Sequence, residues 1–191
     1  MRQGHVILFF LLTIGLVSCR QSLDPKPYGY LRIAIPDTSY SWYAPNGYPY
    51  AFRLSNNAET HLVNKTGEDY WLNIHYPAIN TTIYCSYKPI HNNIRVLARE
   101  AQELIYLHSV VASAIPSQDF ANPQENVYGV YYELHGNTAS PIQFVLTDSI
   151  KHFIRGSVYC NTIPNQDSLA PVHKYMRQDV RILMESMKWQ K

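Results

Sequence analysis

Apolar and polar residues alternate singly over several stretches of this chain, the pattern of strands with one buried face. Leu31, Ile33 and Ile35 alternate with Arg32 and Ala34 until Pro36 and Asp37 end the run. Tyr70, Leu72, Ile74 and Tyr76 alternate with Trp71, Asn73 and His75, and Ile83, Cys85 and Tyr87 with Thr82, Tyr84 and Ser86. Pro77 separates these two strands and Pro89 closes the second, since proline cannot donate to a ladder. Residues 40–68, rich in Tyr, Pro, Asn and Gly, carry one readable strand, Tyr50 to Leu54.

From Asn92 or Asn93, good N-cap residues, the period changes to 3.6. Ile94, Leu97, Ala101, Leu104, Ile105, His108, Val111 and Ile115 share one face, predicting a helix of about 20 residues that ends before Pro116. Strands are expected at Asn126 to His135, Pro141 to Thr147 and Lys151 to Asn161, with Asp148 and Ser149 in the turn between the last two. A second amphipathic helix starts at Asp167 or Ser168, takes Pro171 in its first turn and repeats Leu169, Val172, Met176, Val180, Leu183 and Met187 to about Lys188. Short links between the late strands favour hairpins. The expected fold is therefore α+β: a single domain with a mostly antiparallel sheet and two long amphipathic helices packed against it.

The N-terminus reads differently. Arg2 is a positive start, Val6 to Val17 is an apolar run of about a dozen residues, and Leu16, Val17, Ser18 and Cys19 form the pattern of a bacterial lipobox. That run is too short to span a bilayer. Residues 1–18 are read as a lipoprotein signal peptide, Cys19 as the lipidated first residue of the mature chain, 19–27 as its tether and 28–191 as one domain. Two or three acyl chains hold a protein on a membrane where one binds only marginally. The eight residues from Arg20 to Pro27 reach at most about 28 Å, so the folded body is expected close to the membrane surface. No acidic cluster follows Cys19, which places the expected location on the periplasmic side, with the outer membrane as the expected membrane.

Composition narrows the function. Charged residues are 16% of the chain and the formal net charge is +2, without a run of Lys or Arg, so nucleic acid is not an expected partner. Sixteen Tyr and twelve Pro suit a sheet with ordered, aromatic-rich loops. After lipidation, Cys85 and Cys160 remain in a compartment that permits disulfides. They admit two readings: a bond closing a loop of 75 residues, worth about 4–5 kcal/mol in the chain-entropy picture, or two buried thiols. No CxxC and no His pair at ligand spacing occurs, so neither a metal nor another cofactor is expected.

The sharpest polar cluster is Asn137, Ser140, Thr147, Asp148, Ser149, Lys151, His152 and Arg155. Ser149, His152 and Asp148 have the residue types of a nucleophile, base and orienting acid, and the alternative function is an envelope hydrolase or glycan-binding module built on residues 137–155. Ser149 falls in a hairpin turn without an elbow or oxyanion motif, however, and adjacent side chains rarely converge as a triad. The expected role is a patch that contacts a protein partner, with Arg155 and His152 near Asp148 and Asn137, and no catalytic residue is assigned. The aromatic stretch Tyr40, Trp42, Tyr43, Tyr48 and Tyr50 reads as a cover over one sheet edge, the alternative being a sugar-stacking or partner-binding loop.

Several strings are more particular than a fold requires: PKPYGYLRI at 25–33, IYCSYKPI at 83–90, YGVYYELHGNTASPIQFVLTDS at 128–149, KHFIRGSVYCN at 151–161 and PNQDSLAPV at 164–172. With the lipobox and the terminal Met187, Lys188 and Trp189, they resemble the gliding motility lipoprotein GldD family of the Bacteroidetes over nearly the whole mature chain. The resemblance implies a membrane-attached, non-enzymatic component of the gliding machinery linked to type IX secretion, with other envelope proteins of that apparatus as partners. Cys85 and Cys160 stand where the family leads one to expect bulky apolar residues. Asp148, Ser149, Ile150 and Asp167, Ser168, Leu169 also look like the three-residue O-glycosylation signal of envelope proteins in this phylum. The competing roles are a turn for Ser149 and a helix N-cap for Ser168.

Overall fold

A computed structural model describes residues 34–63, 66, 67 and 69–190. The expected signal peptide, Cys19, the expected tether and residues 31–33 of the expected first strand lie outside the described residues, as does the side chain of His108. Twelve strands and two helices follow in order: β1 (Tyr40–Tyr43), β2 (Tyr50–Ser55), β3 (Glu59–Leu62), β4 (Leu72–Tyr76), β5 (Thr81–Pro89), α1 (Ile94–Tyr106), β6 (Ala112–Ala114), β7 (Ser117–Asn122), β8 (Val127–Glu133), β9 (His135–Gly136), β10 (Ile142–Thr147), β11 (His152–Cys160), α2 (Ala170–Ser186) and β12 (Lys188–Trp189). The main sheet has seven strands in the order β3-β4-β5-β11-β10-β8-β7, and every neighbouring pair is antiparallel. The fold is α+β, as the alternation and the two apolar helical stripes predict.

One face of the sheet carries the main core. Leu72, Ile74, Ile83, Ile142, Phe144, Leu146, Ile154 and Val158 meet the apolar stripe of α2, where Val172, Met176, Val180 and Leu183 are buried as their 3.6 spacing requires. A small second sheet, β1-β2-β12, closes this side, with Tyr50, Phe52 and Leu54 of β2 buried in the same core. Gly156 permits a very close contact within the core: a Cβ there would lie 2.1 Å from the Phe144 ring on the paired strand. The other face is covered more thinly. Leu97 and Ala101 of α1 pack with Ile90 and Phe153 into a separate small cluster.

The structure corrects several expectations. α1 is 13 residues long, not about 20, and a 3-10 turn (Leu107–Val110) follows it. Past Ile105 the apolar stripe is no longer buried: Val111 is 55% exposed, and Leu104, just before Ile105, is 45% exposed. The chain instead pairs Ala112–Ala114 with His135–Gly136. Asn93 is the N-cap of α1, but its Oδ1 accepts the His91 N–H at 2.8 Å and not an amide of the helix. Ser168 does not cap α2, whose N-cap is Leu169; the Ser168 hydroxyl donates to the Asn165 carbonyl at 3.3 Å. α2 ends at Ser186, because Lys188 and Trp189 pair with β2. Ala34 and Ile35 are not strand, and Ile35 is 38% exposed. Strands β1, β3 and β7 lie where no strand was readable.

The aromatic stretch is not a cover over a sheet edge but strand β1 and the start of β2, and several of its rings pack inward. The Tyr40 hydroxyl donates to Asp179 of α2 at 2.5 Å, Tyr43 meets Phe52, and Tyr48 meets Tyr50 and Tyr70 edge to face. Trp42 is the exception, 48% exposed with the Lys188 ammonium 5.8 Å from its ring centre.

Cys85 and Cys160 are free and buried. Cys85 pairs with Gly156 and Cys160 with Thr81, which separates the two thiols by four residues of ladder, about 13 Å. A disulfide needs Cα atoms within about 7 Å, so the bonded reading is corrected. Burial pushes the Cys85 thiol up to about 12 and raises Cys160 as well, keeping both protonated.

Candidate functional site

The polar residues from 137 to 155 do not gather. Asp148, Ser149, Lys151 and His152 occupy the β10–β11 turn, at the end of the hairpin where Thr147 pairs with Phe153. Asn137 and Ser140 lie beyond the opposite end, where Ile142 pairs with Val158, five residues or about 17 Å along the strand. There Asn137 Oδ1 accepts the Gln166 N–H at 3.1 Å, and Ser140 is fully buried. Arg155 is separated in a third way. Side chains alternate along β11, so Arg155 shares a face with Phe153 and Ser157, away from Ile154 and Val158 in the main core.

Within the turn, the acid and the base of the would-be triad are engaged elsewhere. Asp148 Oδ1 accepts the backbone N–H groups of Ile150, Lys151 and His152 at 2.8–2.9 Å. Burial opposes its charge, but these bonds prevail and hold the carboxyl below its usual range. Ser149 is in the left-handed region at φ 67° and its N–H donates to Thr147 Oγ1 at 2.8 Å. His152 Nδ1 and the Tyr87 hydroxyl are 2.8 Å apart, and its ring stacks on Trp189 with centroids 5.0 Å apart. Burial lowers the His152 pKa, with Asp148 pulling the other way. The geometry is that of a fastened turn. It ties β11 to β5 and to the C-terminal strand.

The site sequence reasoning missed is on the other face. α1 covers only part of the sheet there, and a groove of about 400 Å³ remains between the helix and strands β4, β5 and β11. Leu97, Ala101 and Leu104 form its helical wall, Phe153 and Tyr84 its floor, and Trp71 its far side. Trp71 is fixed by its indole N–H, which donates to the Tyr87 carbonyl at 2.9 Å. Lys88 and Glu100 close a salt bridge at 3.1 Å across the rim, both half exposed.

Arg155 is the cation within this groove. Its Nη2 donates to Gln143 Oε1 at 2.6 Å, and Gln143 is completely buried. Ser157 Oγ reaches the same oxygen at 3.5 Å. Burial lowers the Arg155 pKa while the Tyr159 phenol opposes it, but a guanidinium stays charged at any physiological pH. No described carboxylate pairs with it. Arg155 Nε and Gln143 Nε2 are both buried without an acceptor. Among the described residues no group of His, Cys, Asp and Glu is arranged to hold a metal, and no helix is long and apolar enough to cross a membrane.

The class of protein follows from the architecture: an antiparallel α+β domain with one face sealed by a helix and a small sheet, the other left with an open groove. The same fold occurs in the solution structure of cyanobacterial PsbP from Synechocystis sp. PCC 6803, which is 11% identical, covers 86% of this chain and 99% of its own, and has a TM-score of 0.50. That likeness is one of fold. No curated protein matches the chain. The family described as gliding motility lipoprotein GldD matches residues 20–189, and the chain belongs to that family. Membership gives it the role of a gliding-motility lipoprotein associated with the membrane of the cell envelope.

Proposed function

We propose that this protein is held by lipid on Cys19 at the periplasmic face of the outer membrane, and that it serves the gliding machinery and its type IX secretion system by binding other envelope proteins. Residues 1–18 are then the signal peptide, 19–27 the tether and 28–191 the working domain. The observation that carries this reading is the family match, which starts at residue 20, immediately after the lipobox cysteine, and runs to residue 189. The side-chain geometry adds support: Asp148 Oδ1 is spent on backbone amides, and the His152 ring on a tyrosine and a tryptophan. The role is one of assembly and not of catalysis.

Crosslinking in native membranes followed by pull-down tests the proposal. Defined envelope proteins of the gliding and secretion apparatus should be captured, and deletion of the gene should impair gliding and export together. Normal export in a deletion strain would sink the secretion role. Complementation by Ser149→Ala, His152→Ala and Asp148→Asn should each restore function. Loss of function in all three, with folding and complex formation intact, would make the protein an enzyme.

A further inference from the structure

We propose that the groove beside α1 binds a small amphiphile, an apolar chain or ring that ends in a carboxylate, with the carboxylate on Arg155. This goes beyond the assembly role and does not rest on it. A guanidinium taken largely out of water costs free energy unless an anion compensates it, and among the described residues the Arg155 side chain is hydrogen-bonded to the neutral amide of Gln143 alone. Two further donors, Arg155 Nε and Gln143 Nε2, are buried without an acceptor, and Gln143 is fully enclosed. Those two atoms are closed to the groove, so a bound acceptor meets Arg155 at the part of its side chain that lines it.

The charge available selects a monoanion. Lys88, also at the groove, is already neutralised by Glu100 at 3.1 Å, so among the described residues one uncompensated positive charge remains. A planar carboxylate matches the guanidinium fork. The remainder of the groove selects an apolar body. Its volume of about 400 Å³ lies within the range of small-molecule sites, which pair a mainly apolar and aromatic lining with a few polar groups. Leu97, Phe153 and Trp71 provide that lining. Leu104, 45% exposed although it stands on the apolar stripe of α1, is the residue a seated ligand would cover.

The unit from Leu31 to Lys191 contains both hydrophobic clusters, so the mature chain made without its lipid is suitable material and carries no acyl chain to compete. Decanoate is the probe, titrated calorimetrically below its micelle concentration, with decanol and decylamine as controls. Wild type should bind decanoate saturably and at least about tenfold more tightly than either control, the factor a charge-assisted hydrogen bond contributes. Arg155→Gln should lose about the same factor with its melting temperature little changed. Leu104→Glu, which sets a negative charge at an exposed position on the wall, should lose it as well and decides the matter if Arg155→Gln fails to fold. Absence of saturable binding, equal binding of decanol, or full affinity in folded Arg155→Gln or Leu104→Glu would overturn the proposal.

Discussion

Gly156 should be irreplaceable because of space and not because of backbone conformation. It lies in the middle of β11, directly across from Phe144 on β10, and its φ is not in the left-handed region. An alanine Cβ at this position would be 2.1 Å from Phe144 Cζ, 2.2 Å from Cε1 and 2.7 Å from Cε2. To restore ordinary contact, near 3.4 Å or more, the ring must move by over ~1 Å. Phe144 is fully buried, and a close-packed core has no room for that movement. Overpacking of this kind costs about 1–3 kcal/mol. At about 2–4 °C per kcal/mol for a domain of this size, Gly156→Ala should lower Tm by roughly 2–12 °C. Phe144→Leu removes the ring atoms that collide, so in the Phe144→Leu, Gly156→Ala double variant the alanine should cost at least about 0.5 kcal/mol less than it does alone. Urea unfolding followed by circular dichroism gives all four corners of the cycle. A Gly156→Ala variant as stable as wild type, or strict additivity in the double variant, would refute the packing argument.

Three further outcomes follow from burial, charge and targeting. Leu183→Ala, in the main core at 3% exposure, should cost about 2–5 kcal/mol in chemical unfolding, while Leu104→Ala, at 45%, should cost under about 1 kcal/mol; equal losses would place the wrong face of α1 against the sheet. Burial raises the Asp179 carboxyl above its ordinary value of 3.8, although hydroxyls of Tyr40, Tyr76 and Ser55 partly oppose this. The folded state therefore holds that proton more tightly than the unfolded chain, and the contribution present at acid pH is lost as pH rises through the folded pKa. Stability of Asp179→Asn relative to wild type should accordingly increase from pH 4 toward neutrality, and a pH-independent difference in urea midpoint would contradict the assignment. Cys19→Ala should leave a slower-migrating, unlabelled precursor when cells are fed a tagged fatty acid, and equal labelling of variant and wild type would end the lipoprotein reading.

Central elements were legible from the pattern alone, because burial on one face forces a period that any partner would demand. The stripe of α2 from Leu169 to Met187 is buried throughout, and the alternation in β4 and most of β5 survives in the sheet. Local turn chemistry was legible too, as in the Asp148 turn, where a short acidic side chain reaches three successive amides. What escaped has its cause elsewhere in the chain. Edge strands β3 and β7 are mostly exposed and polar, so they carry no alternation, and they exist because β4 and β8 offer unpaired backbone groups. α1 stops at Tyr106, although its apolar spacing continues to Ile115, because residues 112–114 pair with His135–Gly136 instead. Cys85 and Cys160, alike in sequence, are kept apart by the register of β5 on β11. Asn137, His152 and Arg155 read as one patch along the chain, but a two-residue period turns Arg155 to the opposite face and the length of the hairpin carries Asn137 to its far end. The pairing of Arg155 with Gln143, and the groove it faces, required two strands and a helix to be placed before either could be seen, since periodicity reports which residues are buried and only tertiary packing decides against what.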